Sequence, residues 1–348
     1  MPGSMEVSVG PTATPASPCA GAPDRLTDVV VIGGGALGVA TAWWLARAGR
    51  SVVLLEASTT RQLRRAVRGM AWSAHPGWPV ATPQPAVHEA AEAWCELERQ
   101  TGAELLVRRD ALDFGTALDP ATAGTWFDPE TAGERWPGTV FAGPAVLRTG
   151  AAFQIRAELA IAALTAGAVA LGAVVRYRSP VTAVEAVDDE RVDVRTAEGR
   201  ICARRAVVTS VVPSSSRSVE LHFRRATEHL DGPLLALHDP ELGLVRAASC
   251  AYGHLAVGAR SWPRDTLGDL RDRVQAWWPG LTVDSPEPVA PEAMTTVPAE
   301  VTTTRRGPIV SAASTALGSV GVIASARQIA EMTQSPGQTV VARVRLRS

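Results

Sequence analysis

Three glycines, Gly33, Gly35 and Gly38, stand between a short apolar run and an apolar helical pattern, and they restrict the chain more than any other feature. The run Val29-Val30-Val31-Ile32 predicts a strand buried on both faces, as in a parallel sheet. Ala36 to Ala48 predicts a helix ended by Gly49, and Ser51 to Leu55 a second buried strand that stops at Glu56. Together they make one βαβ unit. In the spacing Gly33-x-Gly35-x-x-Gly38, the first glycine permits a tight turn and the second lets pyrophosphate oxygens approach the backbone. The third lets the helix pack on the strand. The N–H groups of the helix start, at Ala36 and Leu37, face the phosphates, where the helix dipole favours negative charge. Glu56, followed by Ala57, is placed where a carboxylate bonds ribose hydroxyls. An acid rather than an arginine argues against a 2′-phosphate and leaves FAD or NAD.

A chain of 348 residues can bury one large domain or two smaller ones. Val29 to Ala46 carries no charge and is long enough to be weighed as a membrane span, but its four glycines read as strand, turn and helix. With a net charge of -1 and 20% charged residues, no strong attraction to nucleic acid or acidic lipid is expected. The Arg61-to-Arg68 cluster lacks the aromatic interleaving of a nucleic-acid surface. All 34 basic residues are arginine, which reads as high-GC, actinobacterial-type codon bias and leaves no side-chain amine for Schiff-base chemistry. The four cysteines, Cys19, Cys95, Cys202 and Cys250, have no zinc spacing, so no metal is expected. Free thiols and the lack of a signal peptide fit a cytoplasmic protein.

Along the chain, residues 1–26 read as a disordered tail, rich in Pro, Ala, Ser, Thr and Gly. Pro85 to Gln100 predicts an amphipathic helix and Ala111 to Gly115 a short strand. Residues 116–150 read mostly as loop, with a short helix around Asp128 to Trp136. Ile155 to Ala170 is alanine-rich and helical, followed by short strands at Ala173–Tyr177, Val181–Val187, Val192–Thr196 and Ile201–Thr209. Cys250 to Arg260 reads as one strand, Leu267 to Trp278 as a helix, Val320 to Ala324 as a strand and Gln334 to Val344 as a final helix. The fold class is α/β (α+β), a Rossmann-like FAD-binding domain with an interleaved antiparallel-sheet substrate domain. Residues 27–105, 150–215 and 300–348 are assigned to the first, and 106–149 and 216–299 to the second.

The sequence resembles the sarcosine oxidase branch of the D-amino-acid oxidase family. Asp28 to Glu56 carries the likeness first, then Arg64-Arg65-Ala66-Val67-Arg68, similar to that family's T-R-x-x-R. Trp94 to Glu98 with Leu112-Asp113-Phe114-Gly115 resembles W-x-x-L-E … L-x-F-G, and Arg135-Trp136-Pro137-Gly138 resembles R-W-P-G. Val194-Arg195-Thr196 through Ala206-Val207-Val208-Thr209 follows the family's strand pair. The resemblance implies non-covalent FAD. Its adenosine half would contact Gly33, Gly35, Gly38, Glu56 and Val181, with Arg65 also near the cofactor.

Departures cluster on the flavin-ring side of that pattern. After Thr209 the family's glycine-alanine-tryptophan turn becomes Ser210-Val211-Val212-Pro213. Ala293 replaces its flavin-linking cysteine and Ala256 its lysine, while Arg61 stands for a histidine. The family's C-terminal loop over the flavin ring falls on Ala326 to Thr333. These losses suggest that FAD is largely structural, in a secondary-metabolism enzyme that cyclises or rearranges an apolar intermediate. The alternatives are an FAD-dependent amine or amino-acid oxidase or dehydrogenase, and a non-catalytic FAD-fold binding protein.

Alternation along Cys250–Arg260 puts Tyr252, His254, Ala256 and Arg260 on one face. Because Ala256 takes the family's lysine position, His254 and Tyr252 are the acid/base or donor candidates and Arg260 a charge stabiliser. His254 can equally be a satisfied structural histidine. Arg65 and Arg224 are candidates for binding a substrate anion, with surface arginine the other reading. The partner expected is a small-molecule substrate, with neither nucleic acid nor membrane; oligomeric state is left open.

Overall fold

A computed structural model describes the chain apart from residues 1–25, 68–70, 76–83, 212–217, 226–231, 241–242, 250–253, 261–266, 280, 284–300, 315–320, 335–340 and 345–348. In order come β1 (Thr27–Ile32), α1 (Ala36–Arg47), β2 (Val52–Leu55), α2 (Thr60–Val67), β3 (Ala71–Ala74) and α3 (Gln84–Thr101). Next are β4 (Leu106–Phe114), β5 (Thr125–Phe127), α4 (Pro129–Arg135), β6 (Ala145–Arg156) and α5 (Ala157–Ala170). They are followed by β7 (Val174–Arg176), β8 (Val181–Ala186), β9 (Val192–Thr196), β10 (Gly199–Val211), β11 (Ser218–Arg225) and β12 (Leu234–Asp239). The remainder is β13 (Gly243–Ser249), β14 (His254–Arg260), α6 (Leu267–Trp277), β15 (Leu281–Val283), β16 (Val301–Arg306), β17 (Ile309–Ser314), α7 (Val322–Gln334) and β18 (Val341–Val344).

The strands form two sheets. The first runs β18-β16-β17-β10-β1-β2-β7, with the β8–β9 hairpin joined to β10. Its centre is parallel: β1 lies between β2 and β10, and β10 pairs with β17. Val29 to Ile32 and Val52 to Leu55 are buried throughout, as the uninterrupted apolar runs predict for strands covered on both faces. Helix α1 packs on one side. Its Trp43 donates from Nε1 to Gln100 of α3 at 2.7 Å, and Trp44 donates to the Ile323 carbonyl of α7 at 2.8 Å. The second sheet runs β15-β11-β14-β13-β12-β4-β6-β3, with β5 on β6. Every pairing in it is antiparallel except β4 with β12.

Two sequence expectations are corrected. The stretch 145–156, predicted as loop running into helix, is the twelve-residue strand β6, and its partner β4 spans nine residues where a short strand was expected. A register shift between Arg109 and Ala111 and the positive-φ Gly150 break the two-residue alternation that would have marked this hairpin. The second correction is at the C-terminus, where the helix is 322–334 and a strand follows at 341–344, the reverse of the prediction. Val322, Ile323, Ala326, Ile329, Ala330 and Thr333 are buried at three-to-four-residue spacing, a helical stripe against α1. Ala326 to Thr333 therefore belongs to the core and is no flavin-covering loop. Of the strand predicted over Cys250–Arg260, residues 250–253 lie outside the described residues, and β14 spans His254–Arg260. Ser249 of β13 is in register with Leu255 of β14, so the two strands form a hairpin.

Candidate functional site

The glycine turn is shaped by what surrounds each residue. Gly33 has φ +102°, and a Cβ there would lie 2.5 Å from Thr209 Oγ1. A Cβ on Gly38 would come within 1.8 Å of the Gly33 carbonyl oxygen. Thr209, at the end of β10, donates its hydroxyl to the Ile32 carbonyl at 2.8 Å and so holds the turn from the neighbouring strand. Sequence reading quoted Thr209 only as part of a motif; its clamping role needs the register of β10 on β1.

Glu56 is buried, and its carboxylate reaches across the turn. One oxygen accepts from Gly34 N at 2.5 Å and the other from Ser58 N at 2.6 Å. Its main chain is fixed as well: Glu56 N donates to the Arg176 carbonyl at 2.9 Å and Ser179 N to the Glu56 carbonyl at 2.9 Å. Between these lies Arg178, whose φ of 56° is the left-handed value that a non-glycine residue adopts only under constraint. Ala57 is exposed beside Glu56, and Val181 is half-buried against the cluster of Ile32, Leu55, Val194 and Val208.

Gly35 is different from its neighbours. It is exposed, has an ordinary φ of -67°, and a Cβ added there would meet no atom of the described residues within 4 Å. It is the N-cap of α1 and, as a glycine, gives no side-chain cap; no acidic residue stands in the first turn. The twelve-residue helix thus starts beside a buried carboxylate, with the exposed Gly35 at its N-cap. That geometry fits a dinucleotide, with pyrophosphate on the helix start and ribose at Glu56.

The other predicted positions are scattered. Arg65 lies on α2 and Arg224 on β11. Register pairs Arg224 with His254, and Arg260 with Ser218. Tyr252 and Ala293 fall outside the described residues, and Ala256 pairs with Ala248 of β13.

The second sheet holds a group that sequence reading passed over. Leu112, Phe114, Leu147, Leu235, Leu237 and Val245 share one side, covered by Ala132 of α4, Val274 of α6 and Trp278. Alternation turns Ala111, Asp113, Arg148, Leu234, Ala236 and His238 to the opposite side. There Asp113 is wholly buried and carries two partners. Arg148 Nη2 donates to one oxygen at 2.8 Å, and His238 Nε2 lies 3.0 Å from the other. His75, just past β3, is also buried, within the field of all three and hydrogen-bonded to the Leu234 backbone. Farther along the sheet, Ser73 of β3 stands opposite the buried Gln154. Ser73 Oγ and Arg148 Nε are buried polar atoms without a hydrogen-bond partner among the described residues.

Burial alone would raise the Asp113 carboxyl; the hydrogen bond from His238 and the charge of Arg148 oppose it, and the group is held below its ordinary value. Burial pushes His75 down to about 4, against the pull of Asp113, so this imidazole is neutral. A buried ion pair adds little net stability compared with apolar packing, which makes the group a functional candidate. Only the middle position of Leu112-Asp113-Phe114 hinted at it, as a charge on a strand otherwise fit for the interior. Among the described residues there is no cluster able to hold a metal ion, and no helix is long and apolar enough to cross a membrane.

A family model described as FAD dependent oxidoreductase, DAO, matches residues 28–314. The structure is similar to NikD, an unusual amino acid oxidase essential for nikkomycin biosynthesis, in its open form, with TM-score 0.69 and 20% identity over 93% of this chain and 98% of that one. Glycine oxidase from Geobacillus kaustophilus gives TM-score 0.64 and 15% identity, covering 93% and 98% of the two chains. L-amino acid deaminase from Proteus vulgaris gives 0.65 and 14%, covering 95% and 99%. At these identities the likeness is one of fold. Among curated proteins no sequence matches.

Proposed function

The chain belongs to the FAD-dependent oxidoreductase family DAO, and from that premise we propose that it oxidises an amine or amino acid. Support comes from the buried Asp113–Arg148–His238 group, on the side of the second sheet away from its covering helices. A pocket for an apolar intermediate has no use for an ionised carboxylate that costs desolvation to bury. A substrate that must be oriented and stripped of a proton does.

In this reading the first sheet holds FAD and the second receives a small-molecule substrate, with β3 and the end of β6 contributed to the latter. Gly33, Gly35, Ala36, Leu37 and Gly38 would take the pyrophosphate, Glu56 and Ala57 the ribose, and Val181 the adenine. Attachment is non-covalent, because Ala293 offers no thiol at the family's linking position. When bound, FAD supplies the hydride acceptor. The chain's own residues bind and orient the substrate and hold its proton. A cytoplasmic location and a role in secondary metabolism are part of the same proposal.

One feature favours a second reading, non-redox cyclisation over a structural flavin: the chain has no lysine, and Ala256 stands where the family carries one. The proposed loss of the C-terminal flavin loop no longer adds to it, since Ala326 to Thr333 is core helix. Anaerobic mixing of the FAD-loaded protein with a panel of amines and amino acids separates the two. Oxidation bleaches the flavin absorbance band on substrate addition. Product formed while the band stays unchanged defeats the oxidase reading.

A further inference from the structure

We propose that His238 is the proton acceptor for the substrate amine and that Asp113 is its positioning residue. The inference rests on the amine-oxidation reading above and names a residue for one of its steps. An ionised carboxylate can only accept hydrogen bonds, so the 3.0 Å contact at Asp113 requires His238 Nε2 to carry the hydrogen. With Nε2 as the donor, the base form of the ring has its lone pair on Nδ1, the arrangement in which a third group orients a base. His238 is also the reachable member of the group. Its side chain is 24% exposed, whereas that of Asp113 is at 0%, and His75 is as deeply buried.

The neighbours fit this division of labour. The described charged and titratable groups facing His238 are Asp113 of β4, Arg148 of β6 and His75 beyond β3. Arg148 neutralises part of the Asp113 charge, which keeps the carboxylate from capturing the His238 proton. The Arg148 side chain is 23% exposed. His75, held neutral, brings no competing positive charge.

The step is a proton transfer. An N–H bond of the protonated amine breaks, its electron pair stays on nitrogen, and the proton bonds to His238 Nδ1. The freed lone pair is what the adjacent carbon would need to become an iminium carbon, its hydride passing to FAD when that acceptor is bound. The imidazolium returns its proton to water after product leaves.

Two measurements on the FAD-loaded protein test this. In histidine-labelled protein, nitrogen-15 spectra should show His238 as the Nε2–H tautomer. Asp113→Asn, whose amide both donates and accepts, should populate the other form. A wild-type Nδ1–H tautomer overturns the proposal. In the second, sarcosine, L-proline and glycine serve as amine probes in anaerobic flavin reduction. His238→Asn, at a partly exposed position, should lower the limiting rate about 10²- to 10⁴-fold with little change in KM, and should remove the acid limb of the wild-type pH profile. Reduction at the wild-type rate with the same limb overturns the His238 assignment alone. A wild type that none of the three amines reduces defeats the amine-oxidation reading and this proposal with it.

Discussion

Gly38→Ala is expected to yield protein that retains no FAD and melts well below the wild type. The added methyl carbon would sit 1.8 Å from the Gly33 carbonyl oxygen and 2.9 Å from its carbon, both main-chain atoms. A rotamer change cannot relieve such a clash; either α1 lifts from β1 or the turn opens. Overfilling a core already costs about 1–3 kcal/mol when side chains can adjust, and here they cannot. Moving the turn would also break the Thr209 bond to Ile32 and the Glu56 bond to Gly34, so stability and cofactor retention fall together. Thermal melting and flavin content of the purified variant measure both. A wild-type melting temperature with full flavin would contradict the close approach described.

The second large effect is on pH. Lowering the pH from about 6.5 to about 4 should cost the folded state on the order of 3 kcal/mol through His75 alone. Unfolded, this imidazole takes a proton near its ordinary value of 6.5; folded, burial delays protonation to about 4. Within that window the unfolded chain binds more protons, so stability is complete above it, declines as pH falls, and levels off below it. Asp113 adds a separate loss at lower pH, because its carboxyl is held below its ordinary 3.8 and the unfolded chain takes up that proton more readily than the folded one. Denaturant titrations between pH 7 and pH 4 give the slope for the wild type and for His75→Gln. The variant should be flatter across the window, whatever its stability at neutral pH. Equal slopes would remove His75 from the account.

What the sequence made legible follows from the range over which each signal acts. The βαβ unit was readable because its evidence is local: two four-residue apolar strands, three glycines and an acid within 28 residues, Val29 to Glu56. The C-terminal helix was misread because Val320 to Ala324 is as apolar as a strand. Only the continuation to Ile329, Ala330 and Thr333 reveals the helical period. The hairpin of β4 and β6 was hidden by an irregularity in the very alternation used to find strands. The Asp113 group was invisible for another reason. Its members, at positions 75, 113, 148 and 238, are brought together by the pairing of β3, β4, β6 and β12, an order that no local pattern encodes.

Flavin content of Gly35→Asp tests the nucleotide site most directly. The position has an ordinary φ and no atom of the described residues within 4 Å of an added Cβ, so the variant should keep the wild-type circular dichroism spectrum and melting profile measured without FAD. A carboxylate at the start of α1 would occupy the place assigned to pyrophosphate and repel it. The expected result is a folded, colourless variant beside a yellow wild type that releases its FAD on denaturation. A Gly35→Asp protein that binds FAD as the wild type does would contradict the account.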